Sequence, residues 1–114
     1  MWAKESRLTR SGQFAAVSRE GTTYHGRLAV LKALPNGLDQ TRYGFIVSRR
    51  VGKAVVRNRV KRLLRESTRQ MAIQPGWDVV FIARPAAAEA SYQDMKSTVR
   101  GLLIKGGLGG DPGG

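Results

Sequence analysis

The stretch VGKAVVRNRVKRLLRE, residues 51–66, limits the possible folds of this chain more than any other segment. At about 100° per residue, a helix over residues 56–71 would place a continuous set of mostly apolar side chains on one arc. These are Val56, Val60, Leu63, Leu64, Ser67 and Met71. The pattern therefore predicts a long amphipathic helix that packs on a sheet and turns its remaining, basic surface to solvent.

The charge on this helix is unusually one-sided. Residues 49–65 contain eight Lys and Arg and no acid, although solvated helices usually interleave acids to gain i,i+4 pairs of about 0.2–0.5 kcal/mol each. Arg57 and Arg59 would also oppose the dipole at the start of the helix. Phosphates bound at that end, where backbone N–H groups are free, would account for the charge. A solvated helix face is the alternative, and we favour nucleic-acid binding.

Composition supports a polyanionic partner. The chain has 114 residues, with 20 Lys and Arg against 8 Asp and Glu and a formal net charge of +12, which predicts one compact domain that associates with nucleic acid. The absence of cysteine excludes disulfides and thiolate metal sites, and it suits a reducing compartment, so we expect the cytoplasm. No apolar run approaches the roughly 18 residues of a membrane span, so we expect no membrane partner.

The remaining pattern predicts further helices and strands. Ser11 is the expected cap of a first helix that runs to about Glu20. GRLAVLKAL (26–34) and TRYGFIVS (41–48) are expected to form a hairpin with a long loop. WDVVFIAR (77–84) has the continuous apolar character of a strand buried on both faces, and residues 91–105 predict a last helix. We expect a basic arm at 1–10, one RNA-binding domain at 11–105 and a disordered Gly-rich tail at 106–114.

The sequence offers no evident catalytic group. VGKAVV lacks the first glycine and the final Ser or Thr of a phosphate-binding P-loop. His25 is the only histidine, with no nearby nucleophile and acid to form a triad. The acids are dispersed, so their spacing indicates no metal site.

The segment GFIVSRRVGKAVVRNRVKRLLRE, residues 44–66, resembles the signature of the bacterial ribonuclease P protein component. In that family a Gly-x-x-V-[SA]-[KR]-[KR] strand end leads into an Arg-Asn-Arg-[IV]-Lys-Arg helix, and residues 44–50 and 57–62 match both parts. The similarity extends in order over residues 7–103. One departure is Ser18, where family members commonly have a second aromatic residue one turn after Phe14.

The resemblance implies an α/β (α+β) two-layer sandwich in the order helix, strands, helix, strand, helix. It also implies a left-handed βαβ crossover, against the general right-handed rule. The implied function is to assist a catalytic RNA that removes the 5′ leader from precursor tRNA. The partners would be the catalytic RNA subunit and precursor tRNA, with no protein partner required. The chain would bind no cofactor, because the RNA would hold the Mg²⁺, and the chain alone would be inactive.

The resemblance also implies two sets of contact residues. The first would bind the catalytic RNA and comprises Arg49, Arg50, Lys53, Arg57, Asn58, Arg59, Lys61, Arg62 and Arg65. The second would line a cleft for the single-stranded leader and comprises Phe14, Lys32, Arg42, Ile46 and Ser48.

Other functions remain compatible with a basic α/β domain. The principal alternative is a ribosomal or ribosome-associated RNA-binding protein of similar fold. A DNA-packaging protein and an independently catalytic nuclease are weaker alternatives.

Overall fold

The computed structural model describes residues 7–8 and 11–112 and consists there of three α-helices and two β-sheets. The helices are α1 (Ser11–Glu20), α2 (Ala54–Arg69) and α3 (Tyr92–Lys105). The strands are β1 (Thr22–His25), β2 (Ala29–Pro35), β3 (Arg42–Ile46), β4 (Met71–Ile73), β5 (Trp77–Ala83) and β6 (Gly109–Pro112). Short 3-10 helices span Arg49–Val51 and Pro85–Glu89. Most of the expected N-terminal arm lies outside the described residues, and so do the last two residues of the expected tail.

The main sheet is mixed and has the strand order β1-β2-β5-β3. β5 pairs antiparallel with β2 and parallel with β3, so the expected hairpin of residues 26–34 with 41–48 is wrong. The hairpin is formed by β1 and β2 instead. β5 takes the place between β2 and β3 because residues 78–81, which are buried on both faces of the strand, can be covered only in the interior of a sheet.

Helices cover both faces of this sheet. Phe81, Leu31 and Val79 are fully buried on one face, in the same cluster as Leu64 of α2 and Val99 of α3. The α+β fold with three helices is therefore confirmed. The two-layer description is incomplete, because α1 packs on the opposite face of the sheet.

The smaller cluster lies under α1. Val17 is fully buried against Val80 of β5 and Leu8, and the Leu8 backbone N–H donates to the Tyr43 carbonyl at 2.8 Å. This part of the expected arm is therefore held along the edge strand β3. Phe14 and Ile82 are half-buried at the margin of the same cluster.

The two predicted long helices are confirmed, with small shifts in their bounds. α2 begins two residues before the expected start and ends two residues early, where Met71 enters β4. α3 follows Ser91, whose hydroxyl accepts from the Asp94 N–H while the Asp94 carboxylate accepts from the Ser91 N–H. This reciprocal capping box fixes the start of α3.

The structure differs from the expected disordered tail. Residues 109–112 form β6, which pairs antiparallel with β4, and the Leu108 side chain is fully buried. The Gln74 N–H also donates to the Leu108 carbonyl at 2.9 Å. Glycine is needed at 109, since φ is +120° and a β-carbon there would collide with the Ala72 carbonyl oxygen. The high glycine content reflects close packing here rather than flexibility.

Candidate nucleic-acid interface

The solvent side of α2 and the connection before it form one basic surface. This basic surface comprises Arg49, Arg50, Lys53, Asn58, Lys61, Arg62 and Arg65. All seven are exposed except Lys61, which is half-buried. The ion pairs among the described residues engage other cations, namely Arg19, Arg27, Arg42 and Arg69. The positive charge of the basic surface is therefore not neutralised within the described part of the chain.

The connection into α2 is anchored at one residue. Val51 is 5% exposed and belongs to the main core, so the 3-10 turn Arg49–Val51 holds both arginines outward. Gly52 follows with φ +151°, a conformation that favours glycine. A rigid turn thus continues the basic surface from the end of β3 to the start of α2.

Arg59 and Arg57 differ from the other predicted RNA contacts. The Arg59 guanidinium donates to the Ala88 carbonyl at 3.0 Å and also to the Ala90 carbonyl. It therefore ties α2 to the end of the 3-10 helix Pro85–Glu89. Arg57 is half-buried, and its Nε is buried without a hydrogen-bond partner among the described residues. An unpaired buried N–H is costly, and because the Nε is not accessible, only the exposed part of the Arg57 side chain can contact RNA.

Three of the five predicted leader contacts, Lys32, Arg42 and Ile46, lie on the sheet face that α1 covers in part, and Phe14 reaches this face from α1. This surface is called the leader face. Lys32, Val80 and Gly44 are aligned in one row across β2, β5 and β3. Val30, Ile82 and Ile46 are aligned in a second row across the same three strands. Ser48 lies two residues beyond Ile46 and is exposed. Val30 and Ile82 share this face by register and were not among the predicted contacts.

Phe14 reaches this face by packing on a glycine. A β-carbon built on Gly44 would lie 2.5 Å from Cε1 and 2.8 Å from Cζ of the Phe14 ring. The ring is half-buried, so part of it remains accessible beside Lys32 and Ile46. Ser18, one turn later on α1, is exposed and adds no ring.

Arg42 is on the leader face but is already engaged. Its Nε donates to Asp78 Oδ1 at 2.7 Å and its Nη2 to Asp78 Oδ2 at 2.6 Å. Asn36 Nδ2 also donates to Asp78 Oδ1, at 3.0 Å. The hydrogen bond and charge of Asp78 raise the pKa of Arg42, against a smaller opposing effect of burial. Arg42 thus fixes the β2–β3 loop, and fewer of its donors remain for a ligand.

The described residues contain no group of three His, Cys, Asp or Glu side chains that could hold a metal ion. His25 is exposed, and its carbonyl accepts from Lys105 at 2.9 Å. Among the helices described, none is both long and apolar enough to cross a membrane.

Comparison with known sequences gives a consistent result. A model of the Ribonuclease P family matches residues 2–106. The ribonuclease P protein component of Dehalococcoides mccartyi is 52% identical over 100 residues, covering 88% of this chain and 83% of the relative. The corresponding protein of Caldanaerobacter subterraneus is 43% identical over 107 residues, covering 92% of each.

Solved structures agree with these sequences. The RNase P protein of Thermotoga maritima is 30% identical and superposes with a TM-score of 0.79, covering 87% of this chain and 96% of that protein. A mutant Staphylococcus aureus RNase P protein is 25% identical and gives a TM-score of 0.84, with 92% and 91% covered.

Proposed function

The chain belongs to the bacterial ribonuclease P protein family, and from this premise we propose how its two surfaces divide the RNA between them. It is the protein component of a ribonucleoprotein endoribonuclease, and it assists the RNA in 5′ processing of precursor tRNA. The ribosomal, DNA-packaging and independent-nuclease alternatives are thereby set aside. The proposal concerns which residues meet which RNA.

The basic surface binds the catalytic RNA. The observation that carries this assignment is the run of exposed cations from Arg49 to Arg65 with no ion pair among the described residues. Phosphate oxygens are suitable partners, because Arg and Lys form charge-assisted hydrogen bonds with them. Arg57 is half-buried and joins this set by its place in the family motif, whereas Arg59 mainly positions α2.

The leader face binds the single-stranded 5′ leader of precursor tRNA. Phe14 offers a ring for base stacking, Lys32 a charge for a phosphate, and Ile46 an apolar surface that is 39% exposed. Base stacking on an aromatic side chain is worth about 1–3 kcal/mol and tolerates different bases. Ser48 immediately precedes Arg49 and both are exposed, so the leader face and the basic surface adjoin at this point.

The protein contributes binding and positioning rather than bond cleavage. The described residues hold no group of three side chains that could bind a metal ion, and we assign the Mg²⁺ to the RNA subunit. The cations reduce repulsion between the phosphates of the two RNAs, and the leader face holds the substrate in one orientation. Such an arrangement lowers the substrate and Mg²⁺ concentrations that the RNA needs.

The test is a cleavage assay on precursor tRNA with protein alone, catalytic RNA alone and both together. We expect no cleavage by the protein and cleavage by the combination at Mg²⁺ concentrations too low for the RNA alone. Neutralising about five to eight phosphates also predicts a loss of protein–RNA affinity of roughly a thousandfold between about 50 and 200 mM salt. Cleavage by RNA-free protein, or affinity that does not respond to salt, would contradict the proposal.

Three finer features belong to the same proposal. The crossover from β3 through α2 to β5 is left-handed, as the family resemblance implies, and an experimental structure would test this. The single RNA-binding domain takes in residues 106–112, because Leu108 is buried and β6 pairs with β4. It binds the RNA with no protein partner, which titration of the purified chain with the catalytic RNA would test. The particle works in the cytoplasm, which fractionation of cells would test.

A further inference from the structure

A small cavity lies at the β1 edge of the sheet, apart from the residues that define the basic surface and the leader face. Its volume is about 200 Å³, and it lies between the turn after β1 and one side of α3. Its lining includes His25 and Arg27 from the turn and Ser97, Thr98, Gly101 and Lys105 from α3.

The chemistry of this lining suits an anion. Arg27 and Lys105 supply positive charge, Ser97 and Thr98 supply hydroxyl donors, and no acid lines the cavity. Lys105 Nζ donates to the His25 carbonyl at 2.9 Å, which positions the ammonium group and leaves further N–H donors free. Arg27 pairs with Asp94 at 3.7 Å, but the two side chains are 70% and 50% exposed, so the pair is weak and can exchange for a better ligand.

Gly101 keeps the cavity open. It lies inside α3, where glycine is less favourable than almost any other residue. A β-carbon at this position would meet nothing within 4 Å, so neither packing nor backbone geometry requires glycine. The missing side chain does leave room beside Arg27 and Lys105 for a group the size of a phosphate.

The position of the cavity connects it to the leader face. The row of Ile46, Ile82 and Val30 on that face continues to His25, which the register aligns with Val30. Adjacent strands lie about 4.8 Å apart, so the row spans roughly 14 Å from β3 to β1. α3 packs on the opposite face of the sheet, so a single strand that follows this row reaches the cavity by turning around the β1 edge at His25.

We propose that this cavity binds a backbone phosphate of the single-stranded leader after the leader has crossed the leader face. The inference rests on the proposed function of that face. It predicts that long leaders gain a contact that short leaders cannot reach, because their strand ends before the β1 edge.

The test uses Gly101→Glu in the assembled particle of protein and catalytic RNA. The new carboxylate would occupy the cavity and pair with Lys105 at i,i+4, so the fold should gain stability while the phosphate is excluded. Lys96→Gln changes net charge by the same amount on the far side of α3 and serves as the control.

We expect Gly101→Glu to weaken binding of long-leader precursor roughly fivefold to tenfold, with a smaller salt dependence. Short-leader precursor and mature tRNA should bind as before, and Lys96→Gln should match wild type. Equal losses for all three RNAs, or no loss, would overturn the cavity assignment. If wild-type protein gains nothing from any leader, the leader face itself fails, which is a different result.

A second measurement separates leader RNA from a free anion. Amide chemical shifts of Gly101 would be followed while the protein is titrated with inorganic phosphate or with a single-stranded hexanucleotide. Tighter binding of the oligonucleotide supports the proposal. Equal affinity for phosphate would show a free-anion site and overturn the assignment to the leader.

Discussion

The ring of Phe14 occupies the space that a β-carbon at position 44 would need, with Cε1 2.5 Å from that site. Gly44 lies on β3, whereas Phe14 lies on α1, so the glycine allows an aromatic ring to rest on the backbone of the sheet. The position of the ring on the leader face is therefore set by a main-chain surface rather than by flexible side chains.

Gly44→Ala should displace this ring. Overpacking of this kind typically costs about 1–3 kcal/mol of unfolding free energy, and the displaced ring should bind the leader less well.

Phe14→Ala should weaken the binding of leader-bearing precursor by about 1–3 kcal/mol and leave the binding of mature tRNA unchanged. Binding and circular dichroism would be measured together, with exposed Ser18→Ala as the control. Equal losses for precursor and mature tRNA in a folded variant would remove Phe14 from the leader face.

Arg62 and Arg59 should respond differently to the same substitution. Arg62 is exposed, so Arg62→Ala should cost about 1–3 kcal/mol of RNA affinity without changing the melting temperature. Arg59→Ala removes the donor for two backbone carbonyls and should cost about 1–3 kcal/mol of stability. Thermal melts and RNA titrations on both variants would distinguish them. A stable Arg59→Ala variant that no longer binds RNA would instead place Arg59 among the RNA contacts.

The capping box of α3 predicts a pH dependence of stability. Hydrogen bonds from Ser91 lower the pKa of Asp94 below its ordinary value of 3.8, and Arg27 adds to the effect. A lowered folded-state pKa gives stability that is present above the unfolded value and lost as pH falls through the folded value. Wild type should therefore melt higher than Asp94→Asn at about pH 7, with the difference shrinking toward about pH 3. A difference that does not change with pH would contradict a charged cap.

Features set by local patterns were predictable from the sequence. The arc of apolar residues in α2, the helical spacing of residues 91–105 and the buried strand β5 all depend on neighbours in the chain, and all three are confirmed. The part of the basic surface that lies on α2 follows directly from the helical periodicity. Asn58, Lys61, Arg62 and Arg65 could therefore be assigned to the solvent side of a helix before the fold was known.

Features set by distant partners were not predictable. The expected hairpin failed because β5, more than 30 positions later in the chain than β3, inserts beside β2. Nothing in the sequence indicated that Arg42 would pair with Asp78. Nothing indicated that Arg59 would donate to the carbonyls of Ala88 and Ala90. A cation looks the same in a sequence whether it binds RNA or closes a hydrogen bond in the fold.

The tail illustrates the same limit and gives the last prediction. Glycine-rich sequence usually indicates flexibility, yet Gly109 lies against Ala72, and Leu108 is fully buried. Gly109→Ala combines a positive φ with a collision on backbone, so it should separate β6 from β4 and expose Leu108. Gly107→Ala is the matched control, because its φ is also positive, at +69°, but its β-carbon would meet nothing within 4 Å.

Urea denaturation of both variants measures the difference. Gly107→Ala should cost about 1–2 kcal/mol from its backbone conformation alone, and Gly109→Ala should cost more. Leu108→Ala should cost about 2–5 kcal/mol, as expected for a buried leucine. RNA affinity of the folded variants should not change, since this segment lies outside both proposed RNA surfaces. If all three variants unfold at the wild-type urea concentration, the tail does not pack on the domain, and the expectation of disorder from its composition is correct.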